Sequence, residues 1–255
     1  MFEEMGYLLS NYYMYYLIGL ASTLLLSIFG TGVGLFLGVF LAFGKSLQPS
    51  KNDPWYKKLW TYPIVWLCNI YSIVIRGTPM MVQAMIFKYG CQLLGVNWNY
   101  ILPGVPVFDG WMIAGLVVIT FNTAAYMGEI VKSGLNGVDV GQVEGARSLG
   151  MNKFQTLIYV TLPQALKNSL PTIGNEWIVN IKDSSVLNVI GVTELYFQSA
   201  DAASENFMFV TTYVIVALIY LILTLLAAGI LKFIDYKFSG KKFKFSFFHF
   251  KTKEC

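Results

Sequence analysis

Long apolar runs separated by short polar loops dominate this chain. Five runs are long enough to be membrane spans: residues 13–43, 62–89, 111–131, 162–190 and 207–233. A helix rises 1.5 Å per residue, so crossing a ~30 Å hydrocarbon core takes about 20 residues. The first run would reach roughly 45 Å as one helix, and must tilt or extend beyond the bilayer. The fourth run carries Glu176, Lys182 and Asp183 among its apolar residues. Each charge costs about 2.5–3.5 kcal/mol at the centre of a lone inserted helix. Three such charges do not face lipid. They line a bundle interior or a wet cavity, or lie near an interface. Pro163 and Pro171 interrupt the same run, which predicts a surface helix feeding a broken span.

Between the third and fourth runs lies a polar stretch, Glu144-Gly145-Ala146-Arg147-Ser148-Leu149-Gly150, followed by Val160-Thr161-Leu162-Pro163. Asp139 can cap a short helix here, with Gln142 completing a capping box. Val143, Ala146 and Leu149 recur every third residue as an apolar stripe, Glu144 and Arg147 can pair across a turn, and Gly150 can end the helix. Periodicity alone leaves two readings open: an ordinary amphipathic surface helix, or a helix that inserts into a groove on a partner.

Loop charge orients the spans. Glu3 and Glu4 open the chain in place of the basic start of a secretory signal. The first loop holds Lys45, Lys51, Lys57 and Lys58, and the third holds Lys132, Arg147 and Lys153. The second (residues 91–110) and fourth (191–206) loops contain acids and no base. This alternation fits five spans with the N-terminus outside and the C-terminus in the cytoplasm, which puts Glu144 in the cytoplasm. Residues 1–240 then form one transmembrane domain. Residues 241–255, lysines interleaved with phenylalanines, form a cytoplasmic tail suited to an anionic leaflet.

Composition narrows the function. Of 255 residues, 56% are apolar and 13% charged, against about 25% charged in soluble domains. The net charge of +4 is concentrated in the tail, so membrane lipids and not nucleic acid are the expected partner of the basic residues. Three scattered cysteines and one histidine support neither a metal site nor a disulfide framework. Gly44-Lys45-Ser46 mimics the end of a phosphate loop, but the nearest upstream glycine, Gly38, is one residue too far away. The chain is expected to be no enzyme and to hold no cofactor. Gly30, Gly32, Gly34 and Gly38 contain overlapping GxxxG spacings, which predict close helix packing.

The Glu144–Gly150 stretch with its Leu162-Pro163 resembles the EAA loop of ABC importer permeases, with Gly145 for the usual alanine and Val160 for the usual isoleucine. Three further segments resemble permeases for polar amino acids. They are Arg76-Gly77-Thr78-Pro79 with Val82-Gln83, the approach from Asn122 through Tyr126 and Glu129, and the run containing Gly174-Asn175-Glu176, Lys182-Asp183-Ser184-Ser185 and Val189-Ile190-Gly191. Asp139 and Ser133 stand where that family usually has proline and glycine. The resemblance implies an all-α polytopic fold of the type I importer, with a coupling helix at about 139–150. It implies that Glu144, Gly145, Ala146, Arg147, Leu149 and Gly150 dock an ATPase subunit. Two ATP-binding subunits would hold the ATP and Mg. A second permease, identical or related, and an extracytoplasmic amino-acid-binding protein would complete the complex in the cell membrane.

Candidate path residues are Arg76, Asn122, Tyr126, Glu129, Asn175, Glu176, Lys182 and Asp183. Each has a second reading. Arg76 faces a substrate carboxylate or pairs with Glu129 or Glu176. Glu129 pairs with Lys132 at three-residue spacing. Asn122 and Tyr126 line a pore or bond between helices. Glu176 and Asp183 face a substrate ammonium or form a network with Lys182. An ion-coupled transporter or channel is the alternative class, but gives no reason for an EAA-like helix.

Overall fold

The computed structural model describes residues 1–47, 54–96, 98 and 110–239, and every regular element among them is helical. A short α1 (Phe2–Asn11) precedes the long α2 (Tyr13–Ser46), which has no proline to interrupt it. The second apolar run is two helices, α3 (Trp55–Gly77) and α4 (Met80–Leu93), not one kinked span. Pro79 lacks an N–H and forces Thr78 into an extended conformation (φ −122°, ψ 144°), which stops α3. α5 (Gly110–Asn136) leads to α6 (Val140–Ser148) and a single turn, α7 (Lys153–Thr156).

The fourth run differs from expectation in where it breaks. A π-helical segment, Leu157–Thr161, precedes α8 (Leu162–Asp183), which then runs through Pro171 without interruption. The wide π turn accommodates the carbonyl that the Pro163 ring would otherwise strike. The break comes later, as a 3₁₀ segment, Ser184–Ile190, closed by Gly191 at φ 96°. α9 (Leu195–Asn206) and α10 (Phe209–Ser239) complete the described chain. The tail at 241–255 lies outside the described residues.

α2, residues 58–77 of α3, α5 and residues 209–237 of α10 are long and apolar enough to cross a membrane. α8, at 22 residues, is also long enough but more polar. The contacts set the helix directions. Gly30, Gly34 and Gly38 of α2 pack on Ile119, Thr123 and Met127 of α5, so these helices run parallel. Along α5, Gly134, Thr123 and Gly115 meet Ala165, Asn180 and Leu187 in turn, so α8 runs antiparallel to α5. Gly174 and Ile181 of α8 meet Leu231 and Leu223 of α10, which reverses direction again.

Three apolar clusters hold the bundle. One joins Leu26, Ala84, Ile119 and Leu187 across α2, α4, α5 and the 3₁₀ segment. The others centre on Leu8, Tyr16 and Leu195, and on Ile181 and Leu223. Between them, Asn180 donates to Thr31 Oγ1 (2.8 Å) and Thr123 Oγ1 (3.0 Å), a buried polar link among α8, α2 and α5.

Candidate functional site

The break between α3 and α4 is built into one wall of a cavity. Ending α3 at the cavity frees backbone carbonyls; Thr78 Oγ1 donates to Val74 O, and Gln83 takes up those of Ile75 and Thr78. Its Nε2 donates to Ile75 O (2.7 Å) and to Thr78 through the carbonyl (2.9 Å) and hydroxyl (2.8 Å). Asn122 Nδ2 in turn donates to Gln83 Oε1 (3.0 Å). Non-helical backbone at membrane depth survives only where such partners or a cavity accept it.

The cavity has a volume of about 580 Å³ and is open on one side. Arg76, Thr78 and Met80 line it from the break, Asn122 and Tyr126 from α5, and Glu176, Val179 and Asp183 from α8. A second cavity of about 450 Å³ follows at the next turns, lined by Glu129, Ser133 and Gly137 and by Asn168, Ser169 and Thr172. The α8 positions 168, 172, 176, 179 and 183 recur at helical spacing and form one stripe along both cavities.

Five of the eight candidate path residues thus surround the first cavity. Glu129 lines the second, and Asn175 and Lys182 are exposed on α8 and line neither. Glu129 does not pair with Lys132. Its Oε1 lies 2.7 Å from Lys45 Nζ and 3.4 Å from Arg76 Nη1. Lys132, three residues on, is outcompeted by cations reaching across from α2 and α3. Arg76 also lies over the Tyr126 ring, 5.4 Å from its centroid. Lys45, Ser72 and Gln83 are structural partners here. The sequence counts Lys45 only as a first-loop charge, shows Gln83 only within a resemblance, and gives Ser72 no role. Lys45 is instead buried in the last turn of α2. The signal for Lys45 is a base in the last turn of an apolar run.

Chemically, the first cavity sets a guanidinium against two carboxylates, with an amide and a phenol between them. That polarity suits a molecule carrying both charges. Among the described residues no cluster of metal-ligating side chains occurs.

α6 lies at the margin of the bundle, packs mainly on α7 and the π segment, and touches α8 through Gln142 and Gln164. Asp139 caps it by accepting from Gly141 N (2.7 Å). The capping box forms elsewhere, between Asn152 and Gln155. The C-terminus closes in a Schellman turn. Gly150 N donates to Arg147 O and Met151 N to Ala146 O, with Gly150 at φ 86°. Ala146 is buried and Val143 half-buried, but Leu149 is 86% exposed and so leaves the inward stripe. Glu144 and Arg147 are exposed and form no ion pair with each other. Val140, Leu149, Phe154 and Tyr159 leave an apolar surface uncovered here.

Residues 63–240, which hold both cavities and α6, match the family described as binding-protein-dependent transport system inner membrane component. The chain belongs to this family. It is a membrane component of a transport system and not the subunit that hydrolyses ATP. It is 33% identical over 221 residues to the arginine transport system permease protein ArtQ of Bacillus subtilis, covering 86% of this chain and 90% of that one. Similarity to the glutamine transport system permease protein GlnP of Escherichia coli K12 is 33% over 218 residues, covering 84% and 88%. Among solved structures, an amino acid ABC transporter crystallised with histidines matches with a TM-score of 0.74 and 33% identity, over 90% of this chain and 96% of that one. The methionine transporter MetNI, in an inward-facing form, matches at a TM-score of 0.63 and 18% identity, a likeness of fold.

Proposed function

We propose that this chain is the transmembrane subunit of an ATP-driven amino-acid importer, and that the Arg76–Glu176–Asp183 cavity is its share of the substrate path. The observation that carries this reading is the opposed charge of the cavity walls. A zwitterion presents a carboxylate to Arg76 and an ammonium to Glu176 and Asp183. The curated relatives named above transport arginine and glutamine, both of which carry those two groups.

The proposed five spans put the termini on opposite sides, and the loop charges support an outside N-terminus and a cytoplasmic C-terminus. The alternating helix directions fit this count, with α3 and α4 crossing once together and α8 as the polar span. The whole of residues 1–240 then acts as one transmembrane domain, with residues 241–255 as a tail on the membrane surface. α6, within the coupling region at about 139–150, meets an ATPase subunit through Glu144, Gly145, Ala146, Arg147, Leu149 and Gly150. Its uncovered apolar surface supports this role. The chain itself binds no cofactor, and ATP and Mg reside on the ATPase. α3 buries little of its apolar surface, exposing Trp66, Leu67, Ile70 and Ile73, which suits contact with a second permease. Two permeases and two ATPases make a closed symmetric assembly, fed from outside by an amino-acid-binding protein.

Reconstitution with its ATPase and binding protein tests this reading. ATP-dependent uptake of radiolabelled L-arginine or L-glutamine is expected. Glu144→Arg is expected to lower both uptake and ATPase copurification at least tenfold, since a reversed charge in a docked interface costs several kcal/mol. Uptake that persists without any ATPase would overturn the proposal.

A further inference from the structure

Lys45 is a cation that neither cavity uses. Its side chain is fully buried and held between the hydroxyl of Ser72, itself buried, and Glu129 Oε1 at 2.7 Å. Arg76 Nη1 approaches the same carboxylate oxygen at 3.4 Å. One oxygen therefore serves two cations, and the two differ in freedom. Lys45 has no exposure and two anchors. Arg76 is 43% exposed, rests on Tyr126 and faces the first cavity. Glu129 faces the second cavity. The Arg76–Glu129 contact stands at the boundary between the two chambers.

We propose that Arg76 exchanges between Glu129 and the carboxylate of a passing substrate, and that Lys45 is the positioning residue that permits the exchange. The inference rests on the substrate-path reading above. Removing one partner of a sheltered ion pair leaves an uncompensated charge behind. With Lys45 in place, Glu129 stays paired when Arg76 departs. Without Lys45, Arg76 is the one cation left in ion-pair contact with Glu129, with Lys132 acting only from farther off, and is held there. A free carboxylate in the first cavity offers guanidinium two parallel hydrogen bonds, a better partner than a single oxygen at 3.4 Å. Release of Glu129 by Arg76 also parts the contact between the chambers. Carboxylate capture and passage to the second cavity are then one event, and the device selects for substrates that carry a free carboxylate.

The test uses the complete complex of permease, ATPase and binding protein in proteoliposomes, with radiolabelled L-arginine and L-glutamine as probes. Lys45→Met is expected to lower the maximal uptake rate per assembled complex about tenfold, with a smaller change in KM. The double variant Lys45→Met with Glu129→Gln is expected to recover to within about threefold of wild type, because neutralising Glu129 frees Arg76. Lys45→Arg is expected to keep most of the rate. A merely structural lysine predicts the opposite for the double variant, since a second substitution in the same buried cluster adds to the damage. A Lys45→Met complex within about twofold of wild type, or a double variant no faster than the single, overturns the proposal. Where Lys45→Met does not assemble, Ser72→Ala takes its place. It loosens Lys45 without removing its charge and is expected to lower the rate about threefold, and an unchanged rate overturns the proposal. A wild-type complex that imports neither probe overturns the substrate reading itself, a result separate from any behaviour of the variants.

Discussion

α5 meets α2 and the polar stripe of α8 on opposite terms. On the α2 side, Ile119, Thr123 and Met127 press against Gly30, Gly34 and Gly38, and at Gly38 the two backbones come close together. On the side toward α8, Asn122, Tyr126, Glu129 and Ser133 stand back from Glu176, Thr172 and Asn168, and two cavities remain. Both faces obey the same helical period on a single helix. The contrast lies in what the facing residues can do. Glycines allow the dispersion contact that drives helix association where no hydrophobic force acts between helices. Charges and amides oppose such contact and keep the groove wet. A membrane protein can therefore keep a polar cleft open beside a seam that is closed, and the closed seam fixes the cleft's wall.

The strongest test breaks the seam. A Cβ at position 38 would lie 2.5 Å from Met127 Cβ and 2.9 Å from Gly128 N, so part of the clash is with backbone. Gly38→Leu is expected to cost at least ~3 kcal/mol, beyond ordinary overpacking because neither helix can give way. The measurement is the yield of monodisperse protein in detergent and its Tm. Gly32→Leu is the control, since a Cβ there meets nothing within 4 Å. If both variants behave like wild type, the seam does not carry the fold.

The two regions also differed in how far the sequence revealed them. The seam was legible because GxxxG spacing is a local signal with one physical meaning. The cleft was legible only in part. Charges in the fourth apolar run had to face something other than lipid, and five of eight candidate residues do surround one cavity. Their partners were not legible. Lys45 and Glu129 are 84 residues apart, and only the bundle brings them together. In α8 the break falls after Asp183 and not at its prolines. Pro163 falls at the helix start, where a missing N–H costs little. Asp139 was expected to share a box with Gln142, but Gln142 lies beside Gln164 instead. The resemblance of the docking loop was carried by residue types and spacing, yet nothing in them told that Leu149 would turn outward.

A smaller effect is expected where seam and cleft are tied together. Asn180 is 3% exposed and bridges Thr31 on α2 and Thr123 on α5. Asn180→Ala removes both bonds and leaves two buried hydroxyls without this partner. The expected loss is about 1–3 kcal/mol, the cost of unsatisfied buried groups, against the ~0.6 kcal/mol average of interhelical bonds. Thermal unfolding in detergent reads it as a lowered Tm. Adding Thr31→Val and Thr123→Val to Asn180→Ala is expected to restore part of the loss, because replacing all partners by apolar groups removes the desolvation penalty. If the triple variant is less stable than the single one, the bonds and not the penalty dominate, and α8 is held to the seam by polarity.

The smallest effect touches neither region and so calibrates both. Gly150 closes α6 in the left-handed conformation, φ 86°, and a Cβ there meets nothing within 4 Å. Gly150→Ala therefore costs backbone strain and no clash, about 1 kcal/mol. The Schellman bonds from Gly150 and Met151 weaken, and the last turn of α6 frays. If α6 docks the ATPase as proposed, binding must then restore that turn, which is expected to weaken its affinity for the permease by roughly fivefold. Titration of purified ATPase against reconstituted permease measures this, while the Tm of the bundle should stay within a degree or two of wild type. Gly150→Asn should fall between the two, since asparagine tolerates the left-handed region better than alanine does. An affinity loss in Gly150→Ala without a change in bundle stability separates the docking helix from the membrane core. A matching loss in bundle Tm would mean that α6 is part of the wall that the α2–α5 seam supports.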